Sequence, residues 1–459
     1  MTGASPLPDG LLLSFYGDDY TGSSAVMEAM SFAGLPTVLF LQPPTQEDLA
    51  RFPGYRGIGI AGVARSRDPG WMAAHLPPIF RMLARLRAPI AQYKVCSTFD
   101  SAPEIGSIGK AIELGAPLLG GGWHPLFVAS PPQGRYQAFG NLFAVADGEF
   151  HRLDRHPTMS RHPVTPMQEA DLRLHLARQT EKKIGLIDFL ALKNGTADRH
   201  LAEARREGKE IIAIDVVDEE TLAEAGGLIW RHRGGRLFAI GSQGLEYALI
   251  AHWRQAGLLP EAPPLEAEAV PRIAAVSASC APVTAAQIRQ AERDGFAAMR
   301  VDPALAVDEA AWENELGRAA EAALAALAAG RSTLTYTALG PDDPSIAATR
   351  AAIAASAANP QEVFTRIGAG LGRLLDRVMR EADVTRGVIA GGDTSGLAAA
   401  AFGIHALTAV APVAPGAPLC RVHGASGNAR RCELILKGGQ MGDTGFFRAA
   451  CGAAKAKAA

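Results

Sequence analysis

Two adjacent carboxylates follow the first apolar run of the chain. Residues 11–16 are typical of a buried strand, residues 25–30 of a helix, and Asp18 and Asp19 stand in the turn between them. In open α/β sheets, ligands bind at the carboxyl ends of strands, where such turns lie. A helix N-cap explains one aspartate, since aspartate is a favoured cap and suits the positive end of the helix dipole. The second aspartate is not explained in that way, so the pair favours a functional site.

Three turns of small residues come directly after apolar runs in the second half of the chain. They lie at Ser279, at residues 391–396 and at residues 438–442. Such turns expose successive backbone N–H groups and open a helix N-terminus, which suits them to phosphate oxygens. None matches a dinucleotide fingerprint or a Walker A loop. Together they indicate a polyphosphate ligand, and Asp393 beside Thr394 either holds Mg²⁺ or caps a helix.

Charged and hydroxyl side chains also recur around the strands of the first half: Arg67, Thr98 and Asp100 follow strands, Lys94 lies within one, and Arg135 lies in a long loop. Arginine binds carboxylates through two parallel hydrogen bonds and lysine supplies a point charge, so the set suits an anionic, hydroxylated small molecule. A surface ion pair would explain any one of these charged residues. Their recurrence after strands favours binding.

Three histidines, His151, His156 and His162, fall close together in the first half. Their spacings of five and six residues fit no zinc pattern. We interpret the segment as a solvated loop in which His162 touches the substrate.

The composition limits the class of protein. The chain has 459 residues, 48% hydrophobic and 20% charged, with a net charge of −2. This is typical of a soluble globular protein and gives no basic face for nucleic acid. Five cysteines without a CxxC spacing predict neither disulfides nor structural zinc and favour a reducing compartment. No signal peptide or membrane span is predicted, so we expect a cytoplasmic protein.

Alternation of apolar runs with helical patterns predicts the organisation. It indicates two α/β domains, each with a mostly parallel sheet flanked by helices. Residues 257–271 contain four prolines and three acids without periodicity, which is typical of a linker. We therefore predict domains at 1–256 and 272–459. Helices are predicted over 77–86 and 105–114.

Residues 131–170 interrupt this alternation. They are rich in glycine, proline, histidine and arginine. We predict a long loop or small hairpin over the sheet, and such stretches in compact domains are usually functional.

Nearly the whole chain resembles the four-carbon acid sugar kinase family, and seven stretches in order carry the resemblance. They are residues 17–22 (DDxTG), Ser66-Arg67, residues 94–101 (KxCSTFDS), residues 162–167 (HPLTPM), residues 277–280 (SGSCS), residues 391–396 (GGETSG) and residues 437–442 (KSGNFG). Three positions depart from the pattern of that family, and the first is Ala281, which replaces the final serine of SGSCS. Ser107 stands where one branch has asparagine, and Asp393 stands where the family has glutamate.

The resemblance implies a sugar-acid-binding first domain, an ATP-binding second domain, and an active site in the cleft between them. The implied reaction transfers the γ-phosphoryl group of ATP to the C4 hydroxyl of a four-carbon sugar acid such as 3-oxo-tetronate. Asp19 or Asp18 would accept the hydroxyl proton while the other orients the hydroxyl. The implied substrate residues are Arg67, Lys94, Thr98, Asp100, Arg135 and His162. The implied ATP residues are Ser279, Gly391, Gly392, Asp393, Thr394 and Gly439, with Asp393 also on Mg²⁺.

Two alternatives remain open. One is a kinase for threonate or erythronate, and the other is a nucleotide-binding protein without catalysis, which would not require the acid pair. The absent dinucleotide fingerprint argues against a nicotinamide dehydrogenase. The expected partners are the sugar acid and ATP, without nucleic acid or membrane, and a homodimer is kept as a hypothesis.

Overall fold

The computed structural model describes residues 6–146, 148–162, 164–424 and 432–452, except the side chains of residues 393 and 394. Contacts divide the chain between Pro263 and Pro264 into two compact units, and residues 39–41 group with the second unit. No helix or strand lies between Gln255 and Ala274. Both units are α/β.

The first unit contains the first eleven strands and nine helices of the described chain, except that Leu39 and Phe40 of β2 group with the second unit. The strands are β1 Leu13–Gly17, β2 Thr37–Phe40, β3 Gly57–Ala61, β4 Ile90–Lys94, β5 His124–Phe127, β6 Arg135–Ala138, β7 Asn141–Ala146, β8 Glu149–Arg152, β9 Ile184–Ile187, β10 Ile211–Ile214 and β11 Leu237–Gly241. The helices are α1 Tyr20–Phe32, α2 Gln46–Ala50, α3 Pro69–Leu86, α4 Ile108–Leu119, α5 Leu172–Ala177, α6 Phe189–Lys193, α7 Ala197–Arg206, α8 Glu219–Arg231 and α9 Gly244–Gln255.

The main sheet of the first unit has the strand order β2-β3-β1-β4-β11-β5-β10-β9. Every pairing from β3 to β9 is parallel. The strands β1, β3, β4 and β11 are buried along their whole length, as expected for a parallel sheet covered by helices on both faces. Consequently the carboxyl ends of β3, β1 and β4 lie side by side.

The interrupted segment after β5 is a second, smaller sheet. Strands β6, β7 and β8 pair antiparallel in that order. Asp215, which follows β10, fixes this sheet by accepting hydrogen bonds from the Gln137 side chain at 3.2 Å and the Gly140 N–H at 2.9 Å. The sequence predicted a loop or a hairpin of two strands, whereas the segment forms a sheet of three strands.

The second unit contains seven strands and six helices within the described residues. The strands are β12 Ala274–Ser277, β13 Ala297–Arg300, β14 Thr333–Tyr336, β15 Arg386–Ala390, β16 Ala406–Ala414, β17 Ala417–His423 and β18 Glu433–Lys437. The helices are α10 Pro282–Arg293, α11 Glu309–Ala328, α12 Pro344–Ala355, α13 Pro360–Glu381, α14 Asp393–Ala401 and α15 Phe446–Cys451. The strand order is β13-β14-β12-β15-β18-β17-β16, parallel as far as β18 and antiparallel beyond it.

Two helix boundaries differ from the sequence prediction. Helix α3 begins at Pro69, eight residues before the predicted start at 77, because Asp68 caps its N-terminus by accepting from the Trp71 N–H at 2.9 Å. Helix α4 begins after Ser107, whose hydroxyl accepts from the Lys110 N–H at 3.1 Å. In both cases a side-chain cap determines the first turn.

The cysteines are free thiols. Among the described residues, no helix combines the length and the apolar character that crossing a bilayer would demand.

Two glycines inside helices of the second unit offer a matched test of packing. A Cβ atom on Gly372 of α13 would lie 2.2 Å from the carbonyl oxygen of Ala398, whereas a Cβ atom on Gly317 of α11 would meet nothing within 4 Å. We expect Gly372→Ala to lower the free energy of unfolding by about 1–3 kcal/mol through overpacking. Gly317→Ala should raise it by about 0.5–1 kcal/mol through helix propensity. Urea unfolding followed by circular dichroism measures both, and equal effects would contradict the packing of α13 on α14.

Candidate functional site

The acid pair lies at the carboxyl end of β1, where backbone hydrogen bonds connect it to two neighbouring strands. The Asp18 N–H donates to the Lys94 carbonyl at 3.0 Å, and its carbonyl accepts from the Arg65 N–H at 3.1 Å. Asp18 and Asp19 are 1% and 7% exposed. The parallel pairing of β1 with β3 and β4 therefore brings the two acids and two bases together.

Asp19 is the anchored member of the pair. Its side chain caps α1 by accepting from the Gly22 N–H at 3.1 Å and from the Thr21 hydroxyl at 2.8 Å. The same oxygen, Oδ2, lies 3.3 Å from a guanidinium nitrogen of Arg65. Arg65 also reaches Asp100, at 3.9 Å.

The two acids have opposite protonation tendencies. Burial and the neighbouring charge of Asp19 raise the pKa of Asp18 to about 8, against the opposing effect of Arg65 and Lys94. Burial also acts to raise the pKa of Asp19, but Arg65, Lys94 and the two donors of the α1 cap outweigh it and hold that pKa below its ordinary value. Near neutral pH the pair therefore consists of one carboxylic acid and one carboxylate.

Gly22 leaves the space that this arrangement needs. A Cβ atom there would lie 2.3 Å from Oδ1 of Asp19 and 2.9 Å from Nζ of Lys94. The Lys94 ammonium and the Asp19 carboxylate can therefore both lie against the first turn of α1 only because residue 22 has no side chain.

The segment after β4 brings further polar groups to the cluster. Thr98 lies with its hydroxyl 3.0 Å from the thiol of Cys96. Burial lowers the pKa of Arg135, while the nearby Cys96 and Asp100 act in the opposite direction. Through these neighbours the structure groups Lys94, Thr98, Asp100 and Arg135 with the acid pair.

Two predicted substrate residues have other contacts. The guanidinium of Arg67 lies over the ring of Trp71, 5.5 Å from its centroid. In His162, Nδ1 accepts from the backbone N–H of Thr165 at 3.1 Å. Among the described residues, the contacts of these side chains do not connect them to the acid pair, so their roles remain predictions.

Two residues of the cluster were missed by sequence reasoning. Arg65 stands in a short 3₁₀ turn, Ala64–Ser66, two positions before the predicted Arg67. Glu246 is fully buried in the first turn of α9, and burial raises its pKa to about 8 although Lys94 acts to lower it. An acid in the first turn after a glycine-rich stretch was a signal that could have identified Glu246.

In the second unit, the three turns follow β12, β15 and β18, which are neighbours in the sheet. The Ala278 N–H donates to the Ala390 carbonyl at 3.1 Å, and the Gly391 N–H donates to the Lys437 carbonyl at 2.9 Å. A Cβ atom on Gly439 would lie 2.8 Å from the Ser279 hydroxyl oxygen. The structure therefore brings Ser279, Gly391 and Gly439 to one edge of the sheet.

The turn between β15 and α14 requires glycine at its first position. Gly391 has a φ of +155°, in the region that side chains disfavour, and Gly392 caps α14. Helix α14 begins at Asp393, so its N-terminus opens at this turn, as binding of phosphate oxygens requires. The side chains of Asp393 and Thr394 lie outside the described part of the chain, which leaves their assignments as predictions.

Lys437 is a buried cation that holds the third turn. Its ammonium donates to the Thr284 hydroxyl at 3.0 Å and the Gly438 carbonyl at 2.9 Å, and Thr284 in turn donates to the Gly439 carbonyl at 2.7 Å. Burial lowers the pKa of Lys437 to about 7. Near neutral pH Lys437 is therefore divided between the ammonium and the neutral amine, and an anion bound at the turn would favour the ammonium.

The chain matches two family models in succession. A sugar-binding N-terminal domain matches residues 13–249 and a nucleotide-binding C-terminal domain matches residues 274–447. Together the matches span the chain on both sides of the segment without helix or strand.

Two curated relatives align over almost their whole lengths. The 3-oxo-isoapionate kinase of Paraburkholderia graminis is 50% identical over 447 residues, which cover 97% of this chain and 95% of the relative. The 3-oxo-tetronate kinase of Cupriavidus necator is 31% identical over 454 residues, which cover 95% of each.

Solved structures share the fold. A Salmonella typhimurium protein aligns with a TM-score of 0.77 at 24% identity, and a Haemophilus influenzae protein with 0.71 at 23%. Each alignment covers 95% of this chain and 98% of the other.

The opposite pKa shifts of the acid pair predict opposite effects of neutral variants on stability. Because the pKa of Asp18 is higher in the folded protein than in the unfolded chain, its contribution to stability is present below about pH 4 and is lost as pH rises to about 8. The variant Asp18→Asn should therefore gain stability relative to wild type across that window, by up to about 1.4 kcal/mol per pH unit.

The control is Asp19→Asn, which retains a capping oxygen. Because the pKa of Asp19 is lowered, this variant should lose stability at neutral pH and regain parity with wild type as pH falls through the lowered pKa. Denaturant unfolding at a series of pH values measures both. Parallel curves for wild type and Asp18→Asn would contradict the raised pKa.

Proposed function

Because this chain belongs to the four-carbon acid sugar kinase family, we propose that it transfers the γ-phosphoryl group of ATP to a terminal hydroxyl of a 3-oxo sugar acid. The proposed acid-binding domain is 1–256, the linker 257–271 and the ATP-binding domain 272–459. The observation that carries the proposal is the buried pair Asp18 and Asp19, held beside Arg65 and Lys94 at the ends of neighbouring strands. A carboxylic acid, a carboxylate and two cations suit an anionic substrate whose hydroxyl must lose a proton.

The names of the relatives rank the candidate acids. The relative at 50% identity is a 3-oxo-isoapionate kinase and the relative at 31% is a 3-oxo-tetronate kinase. We therefore place 3-oxo-isoapionate first and 3-oxo-tetronate second. Threonate and erythronate follow.

Asp18 is the general base in this proposal. As the acceptor oxygen forms its bond to the γ-phosphorus, the bond from that phosphorus to the β–γ bridging oxygen breaks, ADP leaves, and the hydroxyl proton passes to Asp18 in its carboxylate form, whose fraction grows as pH rises towards about 8. Oδ1 of each aspartate is buried without a hydrogen-bond partner among the described residues, so the pKa values decide between the two. A base with a pKa of about 8 takes a proton more readily than Asp19, whose pKa is lowered.

Asp19 and the cations position the groups around this base. Asp19 fixes Arg65, and Arg65 reaches Asp100 on the segment that follows β4. We assign Lys94, Arg65 and Arg135 to the charge of the acid, and Thr98 and Asp100 to its hydroxyls. Catalysis then rests mainly on positioning and electrostatics, as is general for phosphoryl transfer.

The second unit binds the nucleotide in this proposal. The turns at Ser279, Gly391–Gly392 and Gly439 supply N–H groups and a helix N-terminus, and Lys437 adds charge beside them. Mg²⁺ arrives as part of the substrate Mg·ATP, since magnesium is usually held by phosphates with one or two carboxylates. Asp393 with Thr394 is the carboxylate-bearing site that we assign to it. The five free thiols suit a cytoplasmic location.

A panel of acids tests the reaction. ADP release is measured with Mg·ATP and each of 3-oxo-isoapionate, 3-oxo-tetronate, threonate and erythronate, with ATP alone as the control. We expect the highest kcat/KM with a 3-oxo acid. ATP binding without ADP release for any acid would contradict the kinase proposal and favour a binding protein.

Substitution of the acid pair tests the role of each aspartate. We expect Asp18→Asn to lower kcat by about 10²–10⁴, the usual cost of losing a general base, with ATP affinity unchanged. The rise of wild-type kcat/KM with pH towards about 8 should disappear in this variant. Asp19→Asn should also lower kcat and keep a rise with pH, but the rise should move to lower pH, because the charge of Asp19 helps to raise the pKa of Asp18. An active Asp18→Asn beside an inactive Asp19→Asn would move the base to Asp19.

A further inference from the structure

Phe99 holds a conformation that its sequence does not favour. It is fully buried and has a φ of +56°, in the left-handed region that residues with a Cβ atom avoid. It stands between Thr98 and Asp100, two residues of the proposed acid site. Such a conformation persists only where the surroundings enforce it, and it is concentrated at functional sites.

A short chain of hydrogen bonds enforces it. The Ser101 hydroxyl donates to the carbonyl of Phe99 at 3.0 Å, so its oxygen must accept from any other partner. Gln179 donates to that oxygen at 3.0 Å, and Nε2 of His175 lies 3.0 Å from it. The ring of His175 also packs edge-on to the Phe99 ring, with centroids 5.6 Å apart.

The direction of each bond follows from the partners of His175. A guanidinium nitrogen of Arg178 lies 2.9 Å from Nδ1, and guanidinium groups only donate, so Nδ1 accepts and Nε2 carries the proton. Burial, followed by the charge of Arg178, lowers the pKa of His175 to about 4. The neutral ring is therefore the form that fits both partners.

The segment that contains His175 and Gln179 also contacts the N-terminus of α4. The Gln179 side-chain oxygen accepts from the N–H groups of Ile108 at 2.8 Å and Gly109 at 3.3 Å. A Cβ atom on Gly109 would lie 2.2 Å from the Gln179 carbonyl oxygen. His175 and Gln179 thus lie more than 70 residues from Ser101 in sequence and connect it to a helix N-terminus.

We propose that His175 is a positioning residue for acceptor binding: its neutral ring holds Ser101, Ser101 holds the left-handed Phe99, and Phe99 keeps Asp100 at Arg65. The inference rests on the proposed function and adds a residue that touches neither the acid pair nor the nucleotide turns. Asp100 is the link to the site, because Arg65 joins it to Asp19.

The test compares His175→Leu with His175→Gln. Leucine removes both hydrogen bonds, whereas glutamine can offer an N–H to Ser101 and an oxygen to Arg178. We expect His175→Leu to raise KM for the sugar acid by about tenfold, the order expected for one lost hydrogen bond, with a smaller change in kcat. The dissociation constant of ATP should stay unchanged, and His175→Gln should restore KM to within about threefold of wild type.

Ser101→Ala provides a second variant that changes one atom and keeps the test decisive if His175→Leu does not fold. It should raise KM for the acid to a similar degree. The double variant of His175→Leu and Ser101→Ala should raise KM for the acid no further than either single variant, because both substitutions break the same chain of hydrogen bonds. Additive effects, or a wild-type KM in Ser101→Ala, would overturn the proposal.

A separate measurement distinguishes this proposal from the proposed function. Calorimetric binding of the sugar acid is compared between wild type and Ser101→Ala without ATP. If wild type binds the acid but releases no ADP, the kinase proposal fails, and weaker binding by Ser101→Ala still supports the positioning role. Equal binding by the two proteins would contradict that role.

Discussion

Two carboxylates that are adjacent in sequence and buried at the end of one strand repel each other, and this repulsion constrains the first unit. Both cannot be ionised in a low-dielectric site without cations close by. The parallel sheet supplies those cations from the strands on either side, with Arg65 after β3 and Lys94 at the end of β4. The charge cluster therefore depends on the register of three strands, and a one-residue slip in any of them would separate it.

The two units apply the same topological rule to different chemistry. In each, polar groups gather where neighbouring parallel strands end. The first unit uses side-chain charges there, and holds two of its acids, Asp18 and Glu246, with raised pKa values. The second uses backbone N–H groups on glycine turns and one buried lysine, Lys437, whose ammonium is held by a hydroxyl and carbonyl groups. The first arrangement suits proton transfer and the second suits anion binding.

The sequence predicted the parts of this architecture that depend on local pattern. Buried strands and the turns after them were visible because apolar runs and glycine clusters are local signals. The sequence did not show whether Arg65 or Arg67 faces the acids, because a single 3₁₀ turn decides which of these two nearby arginines does so. The third strand of the small sheet β6 to β8 was also missed, because strands such as β6 and β8 are short and at most half-buried and the position of the sheet is fixed by Asp215, far along the chain.

Long-range hydrogen bonds set the remaining limit on what could be predicted from the sequence. His175 and Ser101 are 74 positions apart, and nothing in either local sequence marks them as partners. The role of Gly22, in contrast, can be recognised in a sequence once the structure is known. A side chain at this position would occupy the place of the Lys94 ammonium or the Asp19 carboxylate. That gives the residue a diagnostic use: a homologous chain with any other amino acid at this position must have rebuilt its charge cluster, so the glycine can sort sequences that retain this site from those that have lost it.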